Sequence, residues 1–72
     1  MLDLDHIFKY HTPTPEQLPK YEELRTAAKT FAETIVRLTP PCADRVAAIR
    51  KVREATFTAN SAIALGGRLD VE

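Results

Sequence analysis

Two groups of side chains in this sequence could do chemistry, and both suit holding a ligand better than breaking a bond. Tyr10 and His11 are adjacent, preceded by Phe8-Lys9 and followed by Thr12-Pro13, in a stretch that no helical pattern claims. A tyrosine or histidine on a partly exposed arm can stack on a purine, worth roughly 1–3 kcal/mol per base. The same rings could instead pack the arm against the rest of the chain, and spacing does not choose between the two roles. For Phe8, packing is the expected role. Arg25 and Lys29 stand four residues apart, so they share one helical face in line with Tyr21. Like charges at that spacing cost a few tenths of a kcal/mol unless something negative sits between them. Glu22 and Glu33 lie close enough along the helix to neutralise both, which is the simpler account. The other account is a phosphate clamp in which the ligand supplies the anion.

Groups suited to catalysis are sparse. His6 with Asp3 or Asp5 could orient a base, but no nucleophile or oxyanion hole is recognisable. Cys42 follows two prolines near a helix start, a setting that can lower a thiol pKa. Helix capping, or tolerance of a small residue, is the expected role there. Gly66-Gly67 ends a helix and opens none, so no phosphate loop is present. Cys42, His6 and His11 show no metal-ligand spacing. The sequence therefore predicts no enzyme, no metal site and no cofactor.

The elements that must position these residues are two helices and an arm. Residues 1 to 13 form the arm, with Leu4, Ile7 and Phe8 able to make one short helical turn. A helix is predicted over about 15–38. Thr14 can cap it, Pro15 suits its first position, and Gln17 stands where a capping box places its reciprocal partner. Pro19 can split off a short first turn and delay the main helix to about Lys20. The apolar positions Tyr21, Leu24, Ala28, Phe31, Ile35 and Leu38 then follow a helix-packing spacing, which stops at Pro40-Pro41.

A second helix is predicted over about 43–65, with Asp44 in its first turn and a seam of Ile49, Val52, Thr56, Ala59 and Ile63. Gly66-Gly67 supplies the stop, with one glycine free to adopt positive φ. Residues 66–72 form a tail, of which Arg68 to Glu72 is expected to be frayed. The short connection makes the helices antiparallel neighbours. The predicted fold is all-α: a single helical-hairpin domain over 1–72.

Size and charge bound the rest. A chain of 72 residues and 8.1 kDa buries only about 60% of its unfolded surface, so its core is marginal without disulfides, metal or association. With Cys42 the sole cysteine, association is the remaining route, and a homo-oligomer is expected. Phe57 lies roughly 140° around its helix from Val52 at ~100° per residue, with no partner in a two-helix hairpin; it reads as part of a subunit interface. Lysines and arginines balance aspartates and glutamates, which argues against binding to DNA or RNA polymers by bulk phosphate neutralisation. A small anion gripped by local cations is compatible with that balance. No apolar run approaches ~18 residues, so no membrane span is expected. Met1-Leu2-Asp3-Leu4-Asp5 lacks the character of a signal peptide, and a cytoplasmic location is expected.

Two stretches resemble a known family. Phe8-Lys9-Tyr10-His11 with Pro13, then Lys20-Tyr21-Glu22-Glu23-Leu24-Arg25 and Ala27-Ala28-Lys29, resembles the start of the phage anti-CBASS cyclic-nucleotide sponges. Lys51-Val52-Arg53-Glu54-Ala55, leading to Ala59-Asn60-Ser61-Ala62-Ile63-Ala64, is similar to that family's second helix. The resemblance covers about residues 8 to 65 and rests on the order and spacing of short motifs. A related hairpin occurs in the longer anti-Thoeris sponges. The resemblance implies a helical hairpin assembled into a compact hexamer. It implies cyclic dinucleotides, and in some members cyclic trinucleotides, held without cleavage between protomers, so that CBASS immune signalling fails in the infected bacterial cell. Carried over by position, the base-stacking tyrosine falls on Tyr10 and the phosphate-binding lysine on Lys29. His11 and Arg25 are their neighbours in sequence, and Arg68 and Thr30 are candidates for trinucleotide contact. Asn60 is assigned to structure. Where the family often has a tryptophan before its Ala-Asn motif, this chain has Thr58, with Phe57 one place earlier.

Overall fold

The computed structural model describes residues 1–70, which form three helices: α1 (Leu4–Phe8), α2 (Leu18–Leu38) and α3 (Ala43–Leu65). The described residues contain no strand, only an isolated antiparallel bridge between Leu2 and Asp70. Leu, Ala, Glu, Lys and Arg, all good helix formers, dominate α2.

The start of α2 shows the influence of its prolines. Gln17 Oε1 accepts the Thr14 N–H at 3.0 Å, the return half of a capping box. The Thr14 carbonyl, not its hydroxyl, takes the N–H groups of Gln17 and Leu18 at 3.0 and 3.3 Å. Residues 15–17 thus make a separate turn, and the helix proper begins at Leu18 with Pro19 in its first turn, where no N–H is required. That start is later than about 15, as a Pro19 break allows.

At its other end α2 is closed by a residue from α3. Thr39 is extended, and its N–H and hydroxyl both donate to Ile35 O, at 3.1 and 2.6 Å. Arg45 then reaches back over the turn. Its Nε donates to Thr39 Oγ1 at 3.0 Å and its Nη2 to Val36 O at 2.9 Å, with a further bond from Nη2 to Thr39 O. A cation therefore sits on the orphan carbonyls at the negative end of the helix dipole. Cys42 occupies the N-cap position of α3 but makes no side-chain capping bond, so its side chain is no cap.

The exit from α3 is a Schellman turn. Gly66 and Gly67 have φ of 64° and 76°, the left-handed region that favours glycine. The N–H of Gly67 donates to Ala62 O at 3.0 Å and that of Gly66 to Ile63 O at 3.2 Å, the two bonds of that motif. This reversal sends residues 68–70 back to the N-terminus. The Asp3 N–H donates to Leu69 O at 2.8 Å, and Arg68 Nη1 donates to Asp3 Oδ2 at 2.9 Å and to Asp70 O at 3.1 Å. The expectation of a frayed tail therefore fails for residues 68–70, because the glycine turn returns them to an otherwise unpaired N-terminal segment. Residues 71–72 lie outside the described residues.

The packing is thin. The seam residues of α3, Ile49 to Ile63, and most of those of α2 are half-buried, and Leu65 alone among the described residues is buried. The chain measures 47 × 28 × 16 Å with a radius of gyration of 15.3 Å, against about 11 Å for a compact domain of this length. Its accessible surface is 5836 Å², roughly 1,300 Å² more than scaling with mass gives for a compact monomer. The hairpin is a slab with apolar surface left over.

Candidate functional site

Two depressions flank the α2–α3 seam and share Ala28, Val52 and Thr56. On one side is a groove of about 600 Å³ bordered by Leu24, Phe31 and Ile35 of α2 and by Ala55 and Ala59 of α3. Its lining holds one charged residue, Lys51. On the other side is a smaller cup of about 210 Å³, where Arg25 and Lys29 of α2 meet Arg53 and Phe57 of α3 around Ala32 and Ile49.

The helical period explains this division. Positions 24, 27, 31 and 35 run along one side of α2, while 25, 29 and 32 run along the other. The four-residue spacing of Arg25 and Lys29 does place them on one depression. Their neutralisation by Glu22 and Glu33 is not seen: among the described residues the one ion pair is Arg68–Asp3. Lys29 and Glu33 do border a common shallow depression further along α2, without reaching ion-pair distance. The cup thus carries three cations and no acid.

Arg53 and Phe57 were not among the sequence-derived site residues. The Arg53 guanidinium carbon lies 5.8 Å from the centroid of the Phe57 ring, within cation–π range. Phe57 therefore has a partner within its own helix, which corrects the expectation that it has none. The i, i+4 spacing of Arg53 and Phe57 was a legible signal for that pair. Their meeting with Arg25 and Lys29 needed the helix register, which no local pattern states.

The arm is divided in its use. His11 Nε2 donates to His6 O at 2.7 Å, and the two imidazoles meet edge-on with centroids 4.9 Å apart. His6 Nε2 in turn donates to Leu65 O at 3.2 Å. The His6 N–H is taken by Asp3 Oδ1 at 3.1 Å, the N-cap of α1. Asp3 and His6 are thus occupied in holding the arm to the end of α3. Asp3 is pushed below its ordinary carboxylate value by the hydrogen bond from Arg68 and then by that from the His6 backbone. Arg68, a candidate trinucleotide contact, is engaged with Asp3 and Asp70 within the chain.

The other arm rings stay outside. Tyr10 is 79% exposed and Phe8 82% exposed. Phe8 therefore does not pack within the chain, because α1 turns its His6 and Ile7 side inward and leaves position 8 in solvent. Neither Tyr10 nor His11 borders the cup that holds Arg25 and Lys29. Thr30 is exposed and lies outside both depressions. Asn60 has a buried side-chain oxygen with no donor among the described residues. Among the described residues no cluster of His, Cys, Asp or Glu could hold a metal ion, and no helix is long and apolar enough to cross a membrane.

A family model, Acb2/Tad1, hairpin domain, matches residues 2–64, which span α1, α2 and all but the last residue of α3. No curated protein and no solved structure matches the chain. An all-helical hairpin matched over most of its length places the chain in the Acb2/Tad1 hairpin-domain family, the anti-CBASS and anti-Thoeris sponges, which serve against host defence and are in general not catalysts.

Proposed function

We propose that this protein is a phage sponge that binds cyclic oligonucleotide second messengers, chiefly cyclic dinucleotides and also cyclic trinucleotides, and withholds them from CBASS effectors without cleaving them. The observation that carries this reading is the cup in which Arg25 and Lys29 stand together with no acid at ion-pair distance. Cations arranged without counter-charge beside apolar side chains suit a phosphodiester, which supplies charge and acceptor oxygens together. Membership of a sponge family supports the same reading.

In this proposal Lys29 pairs with a phosphate, Arg25 assists it, and Tyr10 stacks on a base. His11 anchors the arm beside Tyr10. Tyr10 lies outside the cup of its own chain, so the arm of one protomer meets the helix face of another. Assembly, with a hexamer as the expected state, would cover the apolar groove and the surplus surface of the slab. That surplus exceeds the roughly 800 Å² that each partner of a standard protein–protein interface removes from water. Desolvation within the assembly would strengthen the ionic contacts relative to open water. The protein is proposed to act in the cytoplasm of the infected bacterium, with no DNA or RNA polymer as partner.

The apolar groove also favours a second reading, a helical self-association module without a nucleotide ligand. One experiment separates them. Purified protein is titrated calorimetrically with a panel of cyclic di- and trinucleotides, then heat-denatured, and the nucleotide is recovered. Binding with intact recovery is expected. Absence of binding across the panel would leave the self-association module, and recovery of a cleaved product would make the protein an enzyme.

A further inference from the structure

We infer that Arg53 and Phe57 of α3 complete the anion site, with Arg53 as a third phosphate-binding cation and Phe57 as the wall that holds it in place. This rests on the reading of Arg25 and Lys29 as phosphate contacts, and it extends that site from one helix to two.

Three observations carry it. Arg53 borders the same depression of about 210 Å³ as Arg25 and Lys29, although it belongs to the other helix. It has no acid within ion-pair distance among the described residues, so its charge is uncommitted in the free chain. Its guanidinium lies over the Phe57 ring at 5.8 Å, a contact that limits its rotamers without consuming its N–H donors. A guanidinium so placed loses less freedom when it meets phosphate oxygens, and it presents a fork of donors, unlike an ammonium. Phe57 is itself 61% exposed, so little of the helix pair's own packing depends on it. Two phosphates in one small cyclic ligand need more than one cation, and the cup offers cations from both helices.

The test uses the full chain, with cyclic di-AMP and cyclic GMP–AMP as probes, titrated calorimetrically at low and high salt. Arg53→Gln is expected to weaken binding about tenfold or more at low salt, the scale of one charge-assisted hydrogen bond, and to flatten the salt dependence. Arg53→Lys should restore most of the salt dependence and only part of the affinity. Phe57→Leu should weaken binding less than Arg53→Gln and leave the salt dependence unchanged. Mass in solution and thermal midpoint should match the parent for all three. If Arg53→Gln binds like the parent while Lys29→Ala does not, the inference fails and the phosphate role of Lys29 stands. Loss of binding accompanied by a changed mass would assign Arg53 to assembly and overturn the inference. A parent chain that binds neither probe removes the phosphate reading, and this inference with it.

Discussion

The two sides of the α2–α3 seam are built from the same helices and differ in almost everything else. One is a broad groove with a single lysine in its lining, the other a small cup with three cations and a ring. The seam itself, Ala28, Val52 and Thr56, belongs to both. A hairpin with so small a core gains little from burying either side within one chain. An apolar side is stabilised by removal from water in contact with another surface, whereas a cationic side gains from an anion. The phase of the helical repeat alone thus separates an apolar side from a cationic one on the same two-helix slab.

The largest expected effect comes from placing a charge in the groove. Phe31 is 58% exposed in the single chain, so Phe31→Glu should leave the hairpin helical by circular dichroism. In an assembly that covers the groove, the unpaired carboxylate would cost on the order of 3–5 kcal/mol per buried site. Mass by analytical ultracentrifugation should fall to that of small species. An unchanged mass would mean that the groove is not the associating side.

On the cup side, Lys29→Ala should weaken cyclic dinucleotide binding by about 1.5–3 kcal/mol, the scale of a hydrogen bond to a charged group. Tyr10→Ala should cost roughly 1–3 kcal/mol if one base stacks on it. Neither should alter the mass. Calorimetry on both variants checks the division: if both bind like the parent, the ligand does not use this side.

Another change tests the scaffold that both sides share. Arg45 bridges three acceptors at the end of α2, so Arg45→Ala should destabilise the hairpin by about 1–2 kcal/mol. The thermal midpoint should fall, and ligand affinity measured well below it should be retained.

Arg45 also marks where the sequence stops being legible. The helix spans, the seam and the glycine stop follow from periodicities and turn chemistry that act within four residues, as at Leu24–Ala28 or Ile63–Gly67. The same rule put Arg25 beside Lys29. Contacts that join distant positions carry no such signature. Gln17 Nε2 donates to Ile63 O at 3.2 Å, and Arg68 pairs with Asp3, across separations that only the folded hairpin brings together. The tail's partners are Leu2 and Asp3, at the opposite end of the sequence. The Pro40-Pro41 turn did offer a hint for Arg45, a cation shortly after a helix end with free carbonyls. The place of Arg53 and Phe57 in the cup depends on the register of α3 against α2, which no local pattern states.

The smallest expected effect concerns the clasp that decides where the arm, and with it Tyr10, leaves the slab. The hydrogen bonds from Arg68 and from the His6 backbone hold Asp3 below its ordinary carboxylate value. A carboxyl group depressed on folding binds fewer protons in the folded state than in the unfolded one. Its contribution is therefore full above the unfolded value, about 3.9 for aspartate, and declines as the pH falls through the lowered folded value. Acid should loosen the arm first: the protection factor against hydrogen exchange of the Asp3 amide, bonded to Leu69 O, should fall before those of amides within α2 or α3. Both carboxylate oxygens are in use, one on Arg68 and one on the His6 N–H, so Asp3→Asn should bring that lower protection to neutral pH and remove its dependence on carboxyl titration. The groove and cup lie outside the clasp, so mass and the Lys29 contribution to binding should be unaffected by Asp3→Asn. If the variant loses affinity by as much as Tyr10→Ala does, the clasp positions the stacking ring and the arm belongs functionally to the cup.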